Sequence, residues 1–177
     1  MIVLEKNIIN DVILDDVCVF LRKILRGKVI AECKYRKILK IHEVHKIVNV
    51  GSAAIVKSSI KFKDKPLINM LLLINTRMVP HLSRAFAHKA ESTEPYKVIK
   101  GIGEVLLQSL IDAISKYNKI SLNYESPQVV INGDSNTLRS LLVESKPRNS
   151  LIDVCKVRFN LGGSNGFFLD LLIVIDD

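Results

Sequence analysis

The segment TEPYKVIKGIGEVLLQSLIDAISKY, Thr93–Tyr117, is written in the period of one long amphipathic helix. Thr93 suits the N-cap, Glu94 the first turn, and Pro95 a position where a missing N–H costs nothing. Val98, Ile102, Val105, Leu106, Ser109 and Ala113 recur at three- and four-residue steps and share one face. Lys97, Lys100, Gly101, Glu104, Gln108 and Asp112 fall opposite, on a face that meets water or a partner. A glycine inside a helix costs about 1 kcal/mol relative to Ala, so Gly101 and Gly103 are read as a close-packing pair.

Downstream, KYNKISLNYESPQVVING makes a polar break and two short strands, near Ser121–Tyr124 and Gln128–Ile131, ended by Asn132-Gly133. Upstream, Asn7–Arg26 carries a wide apolar stripe through Ile9, Val12, Ile13, Val17, Phe20, Leu21, Ile24 and Leu25, with Gly27 as the C′ residue. Val29–Val44 alternates as a half-exposed strand, with Ala31, Cys33, Tyr35, Leu39 and Ile41 on one side. Ala54–Lys63 alternates again, KDKP turns, and LINMLLLI folds back as a more deeply buried strand. A shorter helix starts near Asn75 or Thr76 and turns Leu82, Ala85 and Phe86 inward. Residues 134–149 hold either a helical turn or a short strand. A terminal hairpin runs Val154–Leu161, GGSNG, FFLDLLIVI. The expected architecture is α+β, a mostly antiparallel twisted sheet with long helices on one face, in a single domain over residues 1–177.

With 177 residues and 48% hydrophobic content the chain can bury a core and is not of the disordered class. No apolar run, Met70–Ile74 included, comes near the length of a membrane span. MIVLEKNIIND lacks the basic start of a secretory leader. Cys18, Cys33 and Cys155 are an odd set at wide spacings, each in an apolar pattern, which reads as buried thiols of a cytoplasmic protein. The net charge of +8 is uneven: Arg22–Lys65 holds thirteen basic against three acidic residues. Such a segment invites an acidic partner, including nucleic acid. Its charges alternate with apolar residues, as on the solvent face of strands, and only Tyr35 and Phe62 are interleaved as stacking groups.

No phosphate loop, zinc-protease helix or nucleophile elbow is present. His42 and His45 point to opposite faces of a strand, and His81 and His88 lack acidic or thiol companions, so no metal site is expected. Glu104 and Gln108 stand one turn apart on the exposed helix face. An acid at that spacing can hold a partner lysine, and an amide can orient a water toward an acyl phosphate. A solvated helix face has the same spacing.

The order of elements, with the helix GIGEVLLQSLIDAISKYNKISLNYESPQVVING and its Pro-containing sequel, resembles the CheC/CheX family of chemotaxis phosphatases across nearly the whole chain. The likeness implies docking on a phosphorylated CheY-like receiver domain and dephosphorylation of it. The family's helix carries Glu-x-x-Asn. Aligned through Ile102, Val105, Leu106, Leu110 and Ile114, its Glu falls on Gly101 and its Asn on Glu104, so neither signature residue is present. Glu104 with Gln108 instead resembles the acid–amide pair of the structurally unrelated phosphatase CheZ. On this likeness Glu104 and Gln108 are the catalytic candidates, and Gly101, Glu104, Gln108 and Asp112 form the partner-binding face. No cofactor is implied, since a magnesium ion would belong to the receiver. Related modules occur in the flagellar switch proteins FliM and FliY, where part of the fold serves assembly instead of catalysis, and the likeness also implies a homodimer joined through a sheet edge.

Overall fold

Runs of period-two and period-four apolar residues divide the chain into alternating strand and helix blocks, seen in a computed structural model that describes residues 14–44, 51–87, 94–143, 147, 149–162 and 167–176. In chain order these are α1 (Leu14–Leu25), β1 (Val29–Lys40), β2 (Ala53–Phe62), β3 (Lys65–Asn75), α2 (Val79–Ala87) and α3 (Pro95–Asn118). Then come β4 (Asn123–Tyr124), β5 (Gln128–Gly133), α4 (Ser135–Val143), β6 (Leu151–Leu161) and β7 (Phe168–Asp176). The strands form one seven-stranded sheet in the order β1-β6-β7-β3-β2, with β4 and β5 both pairing β2. Every pairing is antiparallel. The expected α+β architecture is the one observed.

The middle of the sheet is apolar on both sides. On β3, Ile68, Met70, Leu72 and Ile74 join the core under α1, α2 and α3, while Leu71 and Leu73 join a second core on the other face. β7 does the same, with Leu169, Leu171 and Ile173 on the helix side and Leu172 and Val174 on the other. The β2–β3 hairpin turns at Lys63 and Asp64, both at positive φ, the two-residue turn that matches the strands' own twist.

Three expectations are corrected. β1 ends at Lys40, not Val44, because Ile41–Glu43 winds into a short 3₁₀ turn whose Glu43 carboxylate accepts the Lys40 N–H at 3.2 Å. A bulge between Cys33 and Tyr35 inserts one residue against β6, so side chains two apart change faces. Cys33 packs with the helix-covered core, whereas Tyr35 and Leu39 pack with the second one. Finally, the left-handed residue after α1 is Arg26, at φ 49°, in place of Gly27. The helix stops at Leu25, where the Arg22 guanidinium donates to the Val29 carbonyl at 2.9 and 3.1 Å and fixes the reversal. The first-helix positions 7–13, Thr93 and the side chains of Ile24 and Phe86 lie outside the described residues.

Residues 135–143 resolve the open alternative as a helix. Asp134 caps it by accepting from the Thr137 N–H at 2.8 Å and its hydroxyl at 2.9 Å, bonds that hold the carboxyl below its ordinary range. Leu138 and Leu142, one turn apart, then bury against Ile55, Leu71 and Ile152 on the second face.

The inward arc of α3 is wider than the six positions expected. Val98, Ile99, Ile102, Gly103, Leu106, Leu107, Leu110, Ile111, Ala113 and Ile114 are buried, because α1, α2 and β2 all contact it. Val105 and Ser109 are only half-buried, at its edge. The two glycines separate. A Cβ on Gly103 would lie 2.6 Å from Val56 Cγ1, and one on Gly101 would meet nothing within 4 Å. Only Gly103 is a packing glycine. Accordingly, Gly103→Ala lowers stability by about 1–3 kcal/mol through overpacking against a stiff β-branched neighbour. Gly101→Ala raises it by about 1 kcal/mol by removing backbone freedom. Urea unfolding of the two variants beside wild type reads the opposite signs directly.

Candidate functional site

Helix α3 is built to hold one face still. Glu94 precedes it in extended conformation and pairs with Lys97 at 3.3 Å, Pro95 starts it, and Lys119 ends it in a left-handed cap. With its other side buried across the full length, the exposed row is carried on a rigid support. Glu104, Gln108 and Asp112 stand exposed at successive turns, spanning about 12 Å of helix. Gly101 opens the same row one turn earlier and is half-exposed. The four residues of the expected partner-binding face therefore lie together on one surface.

Their contacts differ from an acid–amide pair poised for hydrolysis. The Gln108 side-chain amide donates to Asp112 Oδ1 at 2.7 Å, away from Glu104. Among the described residues Glu104 is in no hydrogen bond or ion pair. The arrangement presents a free carboxylate beside an amide–carboxylate pair, a surface suited to meeting a cation on a partner.

The basic stretch is divided by its folding. Arg36 bonds Asp153 through Nε at 2.8 Å, Lys61 pairs with Glu125, and Lys34 with Glu32. In register, Arg36 lies opposite Cys155 and Lys37 opposite Val154, so these neighbours sit on opposite faces of β1. His42 is half-buried in the 3₁₀ turn, and His81 is exposed with its ring 5.1 Å from that of Phe167. His45 and His88 lie outside the described residues. Among the described residues no three metal-ligating side chains converge. None of the described helices is long and apolar enough to cross a membrane.

One polar assembly was not anticipated. On the second face, Asp170 is buried and receives Arg158 in a two-pronged bond at 2.7 and 2.8 Å, with Lys156 at 3.0 Å. Arg158 also lies 3.8 Å over the Phe168 ring. A cavity of about 410 Å³ opens beside Asp170 between Ser52, Leu73, Asn75, Arg77 and Phe168. The available signal was Asp170 itself, a lone charge inside FFLDLLIVI. Burial, with the Asp170 charge nearby, pushes the Tyr35 phenol up to about 12.

Two outcomes follow for this cluster. Asp170→Ala leaves two cations without their buried partner and lowers the unfolding free energy in urea by about 3 kcal/mol. Tyr35 is more acidic in the unfolded chain, near 10. The stability of its neutral form is thus complete below about pH 10 and is lost as pH rises through about 12. Urea midpoints fall across that window, and Tyr35→Phe flattens the fall.

No family model and no curated protein matches this chain. Solved structures do. Thermotoga maritima FliY superposes with a TM-score of 0.71 at 13% identity, covering 99% of this chain and 92% of that one. The FliM middle domain from H. pylori gives 0.67 at 12% identity, covering 98% and 94%. The chemotaxis protein CheX from Desulfovibrio desulfuricans gives 0.60 at 10% identity, covering 96% and 99%. At these identities the likeness is one of architecture, and it spans both chains almost completely. The chain has the CheC/CheX-like fold, which FliY and FliM share.

Proposed function

We propose that this chain is an adaptor of the chemotaxis or flagellar-switch type, docking a phosphorylated CheY-like receiver domain on the exposed face of α3. The observation that carries the reading is the row Gly101, Glu104, Gln108, Asp112, held outward by a helix whose other side is buried throughout. In the docked state Glu104 engages the lysine beside the receiver's acyl phosphate, and Asp112 with Gln108 supplies a second polar contact. Any magnesium ion in such a complex is the receiver's own.

Adaptor is favoured over phosphatase on two grounds. The Gln108 amide is committed to Asp112 instead of facing Glu104. The family's acidic position is occupied by Gly101. In the enzymatic alternative Gln108 leaves Asp112 and aligns a water in line with the phosphoryl group while Glu104 holds the lysine.

Mixing the full chain with phosphorylated CheY-type receiver, and following both binding and phosphate release, separates the two. The expected result is binding without acceleration, with Glu104→Lys weakening the affinity by about tenfold, or about 1.4 kcal/mol. Accelerated release that Gln108→Ala removes by about 10²-fold establishes the phosphatase instead. Absence of binding by wild type and by Gly101→Glu/Glu104→Asn alike overturns the docking reading.

A further inference from the structure

Cys33 and Cys155 are 122 residues apart in the chain, yet their Sγ atoms lie 3.7 Å from one another across β1 and β6. The pairing of β1 with β6 creates this meeting. Cys33 faces Val157 and Arg36 faces Cys155, so the two cysteines are diagonal neighbours across the one irregular step of the β1–β6 ladder. Both are free thiols, Cys155 fully buried and Cys33 half-buried. The Cys33 Sγ also lies 3.9 Å from the Tyr35 carbonyl. Arg36, paired with Cys155 across the ladder, places a cation beside the two sulfurs. Neither the α3 face nor the Asp170 cluster uses this pair.

We propose that Cys33 and Cys155 form a reversible disulfide that staples the edge strand β1 to β6. The half-buried Cys33 reacts first: as thiolate it attacks a small disulfide R–S–S–R, forming Cys33–S–S–R and releasing RS⁻. Cys155 then gives up its proton, attacks the Cys33 sulfur and expels the second RS⁻. Two protein thiols are oxidised, one small disulfide is reduced, and the two thiol protons end on the two released RSH molecules. Burial and the neighbouring Cys33 push the Cys155 thiol up to about 12, against the opposing influence of Arg36, which places Cys155 second in the sequence.

Backbone geometry makes the bond labile. Diagonal neighbours on paired antiparallel strands ordinarily have Cα atoms about 7–8 Å apart, beyond the roughly 4.4–6.8 Å of a relaxed disulfide. Closing the sulfurs to about 2 Å draws the chain inward at Lys34, where the bulge supplies the slack. A bridge closed under such strain is readily reduced, as a switch requires.

The test incubates the full chain with oxidised glutathione and then analyses it by intact mass and by non-reducing peptide mapping. Expected is the loss of two hydrogens and a peptide linking Cys33 to Cys155, both reversed by dithiothreitol. Cys18→Ser retains the link, and Cys33→Ser abolishes it. A lasting glutathione adduct on Cys33 with Cys155 free overturns the proposal. So does a bridge to Cys18, a link between two copies, or recovery of only the reduced chain.

Discussion

Burial of both faces of β3 and β7 is the constraint on which the rest of this structure depends. A sheet whose central strands carry Met70, Leu72 and Ile74 on one side and Leu71, Leu73 and Val174 on the other cannot leave either side to water. At about 25 cal/mol per Å² of apolar surface, covering these strands outweighs any single polar contact in the fold. The three helices α1, α2 and α3 answer for one face. Helix α4 and the 3₁₀ turn at Ile41 answer for part of the other. That second layer explains why a polar stretch after β5 folds as a helix at all: Leu138 and Leu142, with Leu141 packed beside them, anchor it in the core, and Asp134 starts it.

The same constraint decides what α3 displays. Val56 on β2 fits against Gly103, so the helix axis comes close to the sheet and cannot roll without a clash. Rotation being fixed, Glu104, Gln108 and Asp112 are held outward, whatever they do there. Rigidity of the support and chemistry of the displayed row are thus separable. One architecture can present a catalytic pair, a docking face or an assembly surface by changing a few exposed residues, which is how a fold comes to host several roles.

Where the second face is left uncovered by α4, it is filled by paired charge. Asp170 with Arg158 and Lys156 satisfies buried polar atoms by mutual bonding, and the Arg158–Phe168 contact covers the guanidinium face. Such an arrangement is a modest source of net stability and a costly one to break, because each partner is left desolvated if another is removed. The bulge at Lys34 belongs to the same edge of the sheet. It turns Tyr35 toward this charged face and Cys33 toward the helices, so one inserted residue sets the surroundings of a phenol and a thiol together.

The sequence alone determined the elements whose signal is local. The period of Thr93–Tyr117, a strand over Ala54–Lys63, the KDKP turn and the continuous apolar run of β3 each follow from residues within a few positions of one another. The α+β class and the outward position of Gly101, Glu104, Gln108 and Asp112 were legible for the same reason. Tertiary structure decided whatever depended on a distant residue. Gly101 and Gly103 look alike in sequence, and only the approach of Val56 separates them. The bulge in β1 shows only in its register with β6, more than a hundred residues on, and the pairing of those two strands brings Cys33 to Cys155. Gln108 chooses Asp112 over Glu104 although both are one turn away. Spacing offers both partners equally, and the conformation of the folded side chains selects one.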